Sequence, residues 1–366
     1  MQRITVDLIA GARPNFMKVA PLYKTLISEN WCIPRLIHTG QHYDAGMSGV
    51  FLKELGLPEP DIHLGVGGTS HAEQTARVML AYEKVCQERP ANWAIVVGDI
   101  NSTMACTITA RKLRIPVAHL ESGLRSRDRF MPEEINRIVT DSLSDLLWTP
   151  SSDADANLLG EGVPEQRICR IGNIMIDSFE MLRPTIEERN ARLHFGQNIK
   201  GYGVVTLHRP SNVDDKSSLS DLVKMITDIS KEISLVFPVH PRTRERLRSF
   251  GLLEKLTLIK GVTLTEPLGY VDFMSLVLDS LFVITDSGGV QEETTYLNIP
   301  CLTLRESTER PITVTQGSNR LVNLSEVAQR VEDVLNRRWP QASRIEFWDG
   351  KAASRAVQSL ASVASI

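Results

Sequence analysis

Short apolar runs alternate with amphipathic helical stretches from one end of this chain to the other. The first series of runs is Ile4–Ala10, Ile33–His38, Trp93–Val97, Val117–Leu120, Leu146–Thr149 and Ile168–Ile171. Runs this short and this apolar predict strands covered on both faces, as in a parallel sheet. Alternation of such strands with helices predicts an α/β domain of doubly wound type. The clearest helix is His71–Gln87, where Ser70 followed by Glu73 reads as a capping box. The pattern then restarts, with strands at Tyr202–Leu207, Ile233–Val239, Leu281–Thr285 and Cys301–Leu304. Helical patterns in this half lie at Leu219–Ser230, Val271–Asp279, Gly289–Leu297 and Ser325–Arg337, and the charged stretch Arg183–Lys200 stands between the halves. The expected architecture is two Rossmann-like domains facing a central cleft and joined near Gly172. The N-terminal domain is 1–172 and the C-terminal domain 173–350. A last helix around Lys351–Ser362, within 351–366, is expected to pack back on the first domain.

Composition narrows the function. The chain has 366 residues, 42% hydrophobic and 23% charged, which is too apolar for intrinsic disorder. Lys plus Arg is 41 against 44 Asp plus Glu, so the basic excess of a nucleic-acid binder is missing. The cysteines Cys32, Cys86, Cys106, Cys169 and Cys301 are odd in number and form no CxxC pair, which indicates neither a disulfide framework nor a zinc site. No signal peptide is expected at the N-terminus, and no segment is apolar for long enough to span a membrane. A cytoplasmic location follows as the expectation.

In open parallel sheets, ligands bind beyond the carboxyl ends of the strands. Gly11-Ala-Arg-Pro-Asn-Phe-Met-Lys18 follows the first strand. Gly11 permits a tight turn, Pro14 suits a first helical turn, and the helix start favours anions, with Arg13 and Lys18 adding charge. The plain alternative is a strand–helix turn with a surface Arg and Lys. Thr285-Asp-Ser-Gly-Gly-Val-Gln-Glu-Glu293 has the same placement in the second half. Ser287, Gly288 and Gly289 can offer backbone N–H groups to a diphosphate, and Glu292 or Glu293 can accept two ribose hydroxyls. Arg305 and Arg310 bring two more cations to that edge. Neither turn has the GxGxxG or the GxxxxGK[ST] pattern, so neither NAD binding nor ATP-driven chemistry is indicated.

Carboxylates gather at strand ends of the first half. Asp99 follows Trp93–Val97, Glu121 follows Val117–Leu120, and Glu133 and Glu134 open a helix. Metal ligation is one reading, without the usual histidine spacing; general acid–base chemistry is the other. His208 and His240 end successive strands of the second half, near the proposed diphosphate.

These segments together resemble the non-hydrolysing UDP-N-acetylglucosamine 2-epimerases, of the glycosyltransferase-B fold. The resemblance rests on GARPNFMKVAP (11–21), TGQH (39–42), GD (98–99), HLESGLR (119–125), PEEINR (132–137), GN..ID (172–177), LHR (207–209), HPR (240–242), TDSGGVQEE (285–293) and TERP (308–311). It implies reversible epimerisation at carbon 2 of UDP-N-acetylglucosamine, giving UDP-N-acetylmannosamine for surface polysaccharides. It implies Lys18, Asp99, Glu121, Glu133 and His208 as catalytic residues. It implies Arg13, His240, Ser287, Gly288, Gly289, Glu293 and Arg310 as substrate-binding residues. It further implies a homodimer that needs no redox cofactor or metal and engages neither nucleic acid nor membrane.

Three stretches depart from the family pattern: Tyr43-Asp44 after Gln41-His42, Pro210-Ser211 after His208-Arg209, and Ile312 after the TERP segment. In several bacterial relatives a second UDP-N-acetylglucosamine binds beside the active site, and the first two departures remove cations from the matching segments. The alternatives to epimerisation of UDP-N-acetylglucosamine are a modified UDP-amino sugar, a hydrolysing relative, a glycosyltransferase of the same fold, and a non-catalytic nucleotide-sugar sensor.

Overall fold

A computed structural model of the chain describes residues 3–40, 51–68, 70–195 and 201–364. It divides into two compact units, residues 1–181 with 346–366, and residues 182–345. Gln41-His-Tyr-Asp44 lies outside the described residues.

The first unit is built on strands β1 (Ile4–Ala10), β2 (Cys32–His38), β3 (Ile62–His63), β4 (Trp93–Val97), β5 (Val117–Leu120), β6 (Leu146–Thr149) and β7 (Ile168–Arg170). All pair in parallel, in the order β3-β2-β1-β4-β5-β6-β7. The order reverses between β1 and β4, and that switch point is where a doubly wound sheet opens a ligand crevice. On one face Val78 and Tyr82 of the helix His71–Glu88, and Ala105 and Ala110 of Asn101–Lys112, pack on Val96 and Val117. The Ser70 hydroxyl accepts from the Glu73 N–H at 3.3 Å and caps the first of these helices. Asp7 is a fully buried acid in the middle of β1. Arg35 at 2.7 Å and the Tyr82 hydroxyl at 2.9 Å hold it, though burial still pushes its carboxyl up.

Within the first unit, the segment that precedes the first crossing of the chain packs against the segment that follows the second. Gly172 has φ +93°, and a Cβ there would lie 2.0 Å from the Phe347 carbonyl oxygen, so only glycine fits. Asp177 caps the final helix, Ala352–Val363, accepting from Ala352 N at 3.0 Å and Ala353 N at 2.8 Å. That helix packs on the helix Arg13–Ile27. The helix Ile174–Arg189 runs into the charged stretch that begins at Arg183.

The second unit repeats the plan with β8 (Tyr202–Thr206), β9 (Ser234–Pro238), β10 (Val262–Thr265), β11 (Phe282–Thr285), β12 (Cys301–Thr303) and β13 (Asn319–Leu321). The sheet is parallel, in the order β10-β9-β8-β11-β12-β13, and its switch point lies between β8 and β11. Leu222 and Ile226 of the helix Lys216–Ile229 join Val205, Phe237 and Phe282 in the core. The unexpected strands β3, β10 and β13 are short outer strands, partly exposed, and lack the continuous apolar run of the inner ones. The architecture is two parallel α/β sheets, as the alternation predicts.

Candidate active site

At the switch point of the first sheet, the turn after β1 presses against β2 and the helix after β4. A Cβ on Gly11 would meet Thr39 Oγ1 at 2.6 Å and Ser102 Oγ at 3.0 Å. The Asn15 side chain locks this turn. Its Oδ1 accepts from Gly11 N at 3.2 Å and Ala12 N at 3.0 Å, and its Nδ2 donates to Val97 O at 3.2 Å. Those two backbone donors are therefore occupied, and the turn is less open to an anion than its sequence suggests. Arg13 is exposed, with its guanidinium 4.8 Å from the Phe51 ring centre.

Lys18 of the same helix forms an ion pair with Glu121 at the end of β5, both side chains largely buried. Glu121 has φ +71°, a left-handed conformation that costs energy in any residue but glycine. Gly98 lies beside this pair: its φ of +69° suits glycine, and a Cβ there would be in ordinary contact with Lys18 Nζ at 3.5 Å and Glu121 Oε2 at 3.8 Å. Asp99 follows directly, partly exposed. Arg137 pairs with its carboxylate, and Asn136 Nδ2 donates to its carbonyl at 2.8 Å.

The two acids that open the helix Pro132–Leu143 separate cleanly. Glu134 is buried and accepts from Ser126 N and Arg127 N, each at 2.9 Å, and from Arg137 Nη2 at 2.7 Å. Burial opposes its charge, but these donors hold the carboxyl below its usual range. Its work is to hold a loop. Glu133 is half-buried and has no ion pair among the described residues.

At the second switch point the organising group is Asp286, fully buried after β11. Its carboxylate accepts from His208 N at 3.0 Å, Arg209 N at 2.9 Å and Asn212 Nδ2 at 2.9 Å. Burial opposes the charge, yet these donors and His208 hold Asp286 below the ordinary carboxylate range. His208 Nδ1 stands 3.0 Å from Asp286 Oδ1, so the opposite ring nitrogen, Nε2, is left to face outward. The His240 ring lies 5.2 Å from that of His208. His240 Nδ1 accepts from Arg242 N at 3.2 Å, which places the proton of a neutral ring on Nε2. Burial and the neighbouring His208 push His240 down, toward that neutral form.

Ser287 stands at the N-cap position of the helix Gly288–Tyr296 without a side-chain capping bond, and its own N–H is taken by Thr285 Oγ1 at 3.0 Å. The next N–H groups, beginning with Gly288 and Gly289, have no intrahelical acceptor. Among the described residues nothing lies within 4 Å of a Cβ built on Gly289, so the helix start is open there. A Cβ on Gly288 would meet Glu309 Oε1 at 2.6 Å. Arg305 and Arg310 are not surplus cations. Glu309 lies 2.8 Å from each, and Arg310 Nε also stands 2.8 Å from Glu292. Burial works against the Glu309 charge, but the two arginines bring its carboxyl down to about 2. Among the described residues no such cation stands beside Glu293. Burial pushes its carboxyl up to about 8, with Glu292 adding to the rise and the Tyr270 hydroxyl opposing it.

Within each unit, then, residues singled out from sequence meet: Lys18 with Glu121 around Gly98 and Asp99, and His208 with His240 beside the helix start at Ser287. Asn15, Arg137, Asp286 and Tyr270 carry the geometry without having been singled out. Asp286 had a signal, since it stands at a strand end inside the TDSGG segment.

The chain matches the UDP-N-acetylglucosamine 2-epimerase family over residues 24–361. It is 40% identical to the UDP-N-acetylglucosamine 2-epimerase of Methanocaldococcus jannaschii over 366 aligned residues, covering 97% of this chain and 98% of that protein. The crystal structure of a Methanocaldococcus jannaschii UDP-GlcNAc 2-epimerase in complex with UDP-GlcNAc and UDP superposes with a TM-score of 0.88 and 39% identity, covering 98% of this chain and all of that one. The UDP-2,3-diacetamido-2,3-dideoxy-D-glucuronate 2-epimerase of Pseudomonas aeruginosa is 37% identical, covering 96% of this chain and 98% of that protein. The chain belongs to the UDP-N-acetylglucosamine 2-epimerase family.

Proposed function

We propose that this protein interconverts UDP-N-acetylglucosamine and UDP-N-acetylmannosamine by eliminating UDP across carbons 1 and 2 and adding it back. The hydrogen on carbon 2 is not acidic, because no carbonyl adjoins that carbon. Its removal becomes feasible when UDP departs from carbon 1 in the same process and leaves a glucal. The enzyme then needs a base, an acid on the opposite face of the sugar, and donors on the departing diphosphate.

The observation that carries the reading is the Lys18–Glu121 pair at the switch point of the first sheet, around Gly98 and next to Asp99. Asp99, Glu121 and Glu133 supply the proton transfers, worth roughly 10²–10⁴-fold for each positioned group. Lys18 holds Glu121 in place. In the second unit, His208, aligned by Asp286, and the Nε2–H of His240 serve the diphosphate. Arg13, Arg310, Ser287 and the N–H groups of Gly288 and Gly289 add to its binding, where stabilisation of developing charge is strongest. Glu293 suits the ribose hydroxyls, because Glu292 is already engaged by Arg310. A homodimer in the cytoplasm belongs to the same reading and is carried by the family resemblance alone.

The 37% identical relative named for a diacetamido-glucuronate shares the reaction class and differs in the sugar, at carbons 3 and 6. Incubation with UDP-N-acetylglucosamine in deuterated water, followed by proton NMR, tests the proposal. Deuterium is expected at carbon 2 of both UDP-sugars with no net loss of UDP-sugar. Free N-acetylmannosamine would instead indicate hydrolysis, and exchange only in a diacetamido substrate would reassign the sugar. No exchange with any UDP-amino sugar would refute the epimerase.

A further inference from the structure

The HLESGLR segment places one more ionisable group beneath the first-unit residues. His119 is fully buried in β5. Its Nε2 lies 2.9 Å from the Gly98 carbonyl oxygen and its Nδ1 2.6 Å from Asp141 Oδ1. A backbone carbonyl only accepts, so Nε2 must carry a proton. Two arrangements satisfy the remaining contact. In one, the ring is an imidazolium donating to an ionised Asp141. In the other, a neutral ring accepts at Nδ1 from a protonated Asp141.

The surroundings of Asp141 decide between them. Its Oδ2 accepts from Gly123 N at 3.1 Å and stands 2.7 Å from Arg125 Nη1. A guanidinium and a backbone N–H on one oxygen both favour the ionised carboxylate, whatever the state of the ring at the other. Arg125 is balanced in turn by Glu161, at 2.8 Å from Nε and 2.6 Å from Nη2. Arg167 donates to the backbone oxygens of Asp141, at 3.4 Å, Ser142 and Ser144, and not to the Asp141 carboxylate. Two cations and two anions therefore compensate one another, three of them buried and the Glu161 carboxylate partly exposed.

This clamp grips two turns at once. His119 holds the carbonyl of Gly98 (φ +69°), just before Asp99, and Asp141 holds the N–H of Gly123 (φ +79°), just after Glu121 and Ser122. Building on the epimerase reading, we propose that His119 is a positioning residue, a buried imidazolium braced by Asp141 that fixes the spacing of the Asp99 and Glu121 carboxylates. It touches neither substrate nor carboxylate. It acts through the two backbone turns that carry them.

Nitrogen NMR of the histidine-labelled parent protein at about pH 7 reads the ring directly. Protons on both His119 nitrogens are expected; a ring protonated on Nε2 alone would overturn the imidazolium. His119→Gln keeps one donor and loses the other. It is expected to lower kcat about 10²-fold and leave UDP affinity within about twofold, with a cooperative melt. Asp141→Asn is expected to remove the second ring proton in the NMR spectrum and to lower kcat similarly. Folded variants that turn over like the parent would overturn the positioning role. If the parent exchanges no deuterium into UDP-N-acetylglucosamine, the epimerase reading has failed, while the NMR pattern still decides the state of His119.

Discussion

The Lys18 ammonium sits on the Glu121 carboxylate and ties the helix after β1 to the end of β5, across the switch point of the first sheet. The two residues are 103 positions apart. Their side chains are only 12% and 5% exposed, so either one left alone would be a charge without compensation.

The first prediction separates the pair's structural and chemical work. Lys18→Met and Glu121→Gln should each destabilise the protein by about 3–5 kcal/mol, the usual cost of orphaning a buried charge. The double variant should regain most of that stability, because it leaves no orphan. Its turnover should remain at least about 10²-fold down, since the proton-transfer group is gone. Denaturation and deuterium-exchange rates on all four proteins check this. A double variant that regains activity would show that Glu121 serves only the ion pair.

Asp286 is a second case in which one buried carboxylate sets the position of another residue. Asp286→Asn places an amide against the N–H groups of His208 and Arg209 and should cost about 1–3 kcal/mol for the unmet donors. It should also weaken turnover by releasing His208. Because the native carboxyl lies below the ordinary aspartate value of 3.8, its contribution to stability is present above that value and is lost as pH falls through the native value. The stability gap between parent and variant should therefore narrow below that pH. Urea denaturation across an acid pH series reads the gap, and a constant gap would contradict the assignment.

Glu293 should show the opposite pH dependence. Its carboxyl rises from 4.5 to about 8 on folding, so between those values the native state holds a proton that the unfolded chain releases. The stability gained from that proton is complete below about pH 4.5 and is lost as pH rises to about 8. Glu293→Gln lacks this slope and should gain in Tm relative to the parent as pH is raised through that window. UDP binding should suffer in the same variant. Discrimination against 2′,3′-dideoxy-UDP should disappear in Glu293→Gln but persist in Arg13→Ala, as calorimetric titration can show.

Substrate activation by a second UDP-N-acetylglucosamine should be weak or absent. Pro210 opens the short helix Pro210–Val213 and carries no charge, while Tyr43 and Asp44 supply no cation to a diphosphate. Each missing charge-assisted hydrogen bond is worth about 1.5–3 kcal/mol, enough to weaken such a site tenfold or more. Kinetics should be hyperbolic, and UDP-N-acetylmannosamine alone should react without a lag. A lag relieved by a trace of UDP-N-acetylglucosamine would show that the second site survives.

The sequence by itself determined the inner strands and the edge at which the chemistry gathers. β1, β4, β5 and β6 are legible residue by residue because an inner parallel strand is buried on both faces and must be apolar along its length. Asp7 interrupts β1 without breaking it, since Arg35 and Tyr82 supply the partners that burial demands. The outer strands β3, β10 and β13 meet solvent on part of their surface, so no continuous apolar run marks them. Strand-end placement likewise points to Asp99, Glu121, His208 and His240 from the sequence alone.

Which charges remain available at those strand ends is a different matter, and only the tertiary structure decided it. Asn15 takes two donors of the first glycine turn, Arg310 takes Glu292, and Glu134 spends its carboxylate on a loop while Glu133 beside it does not. Two neighbouring glutamates are alike in sequence. They differ in the fold because a carboxylate's state depends on its burial and on partners brought to it from elsewhere in the chain.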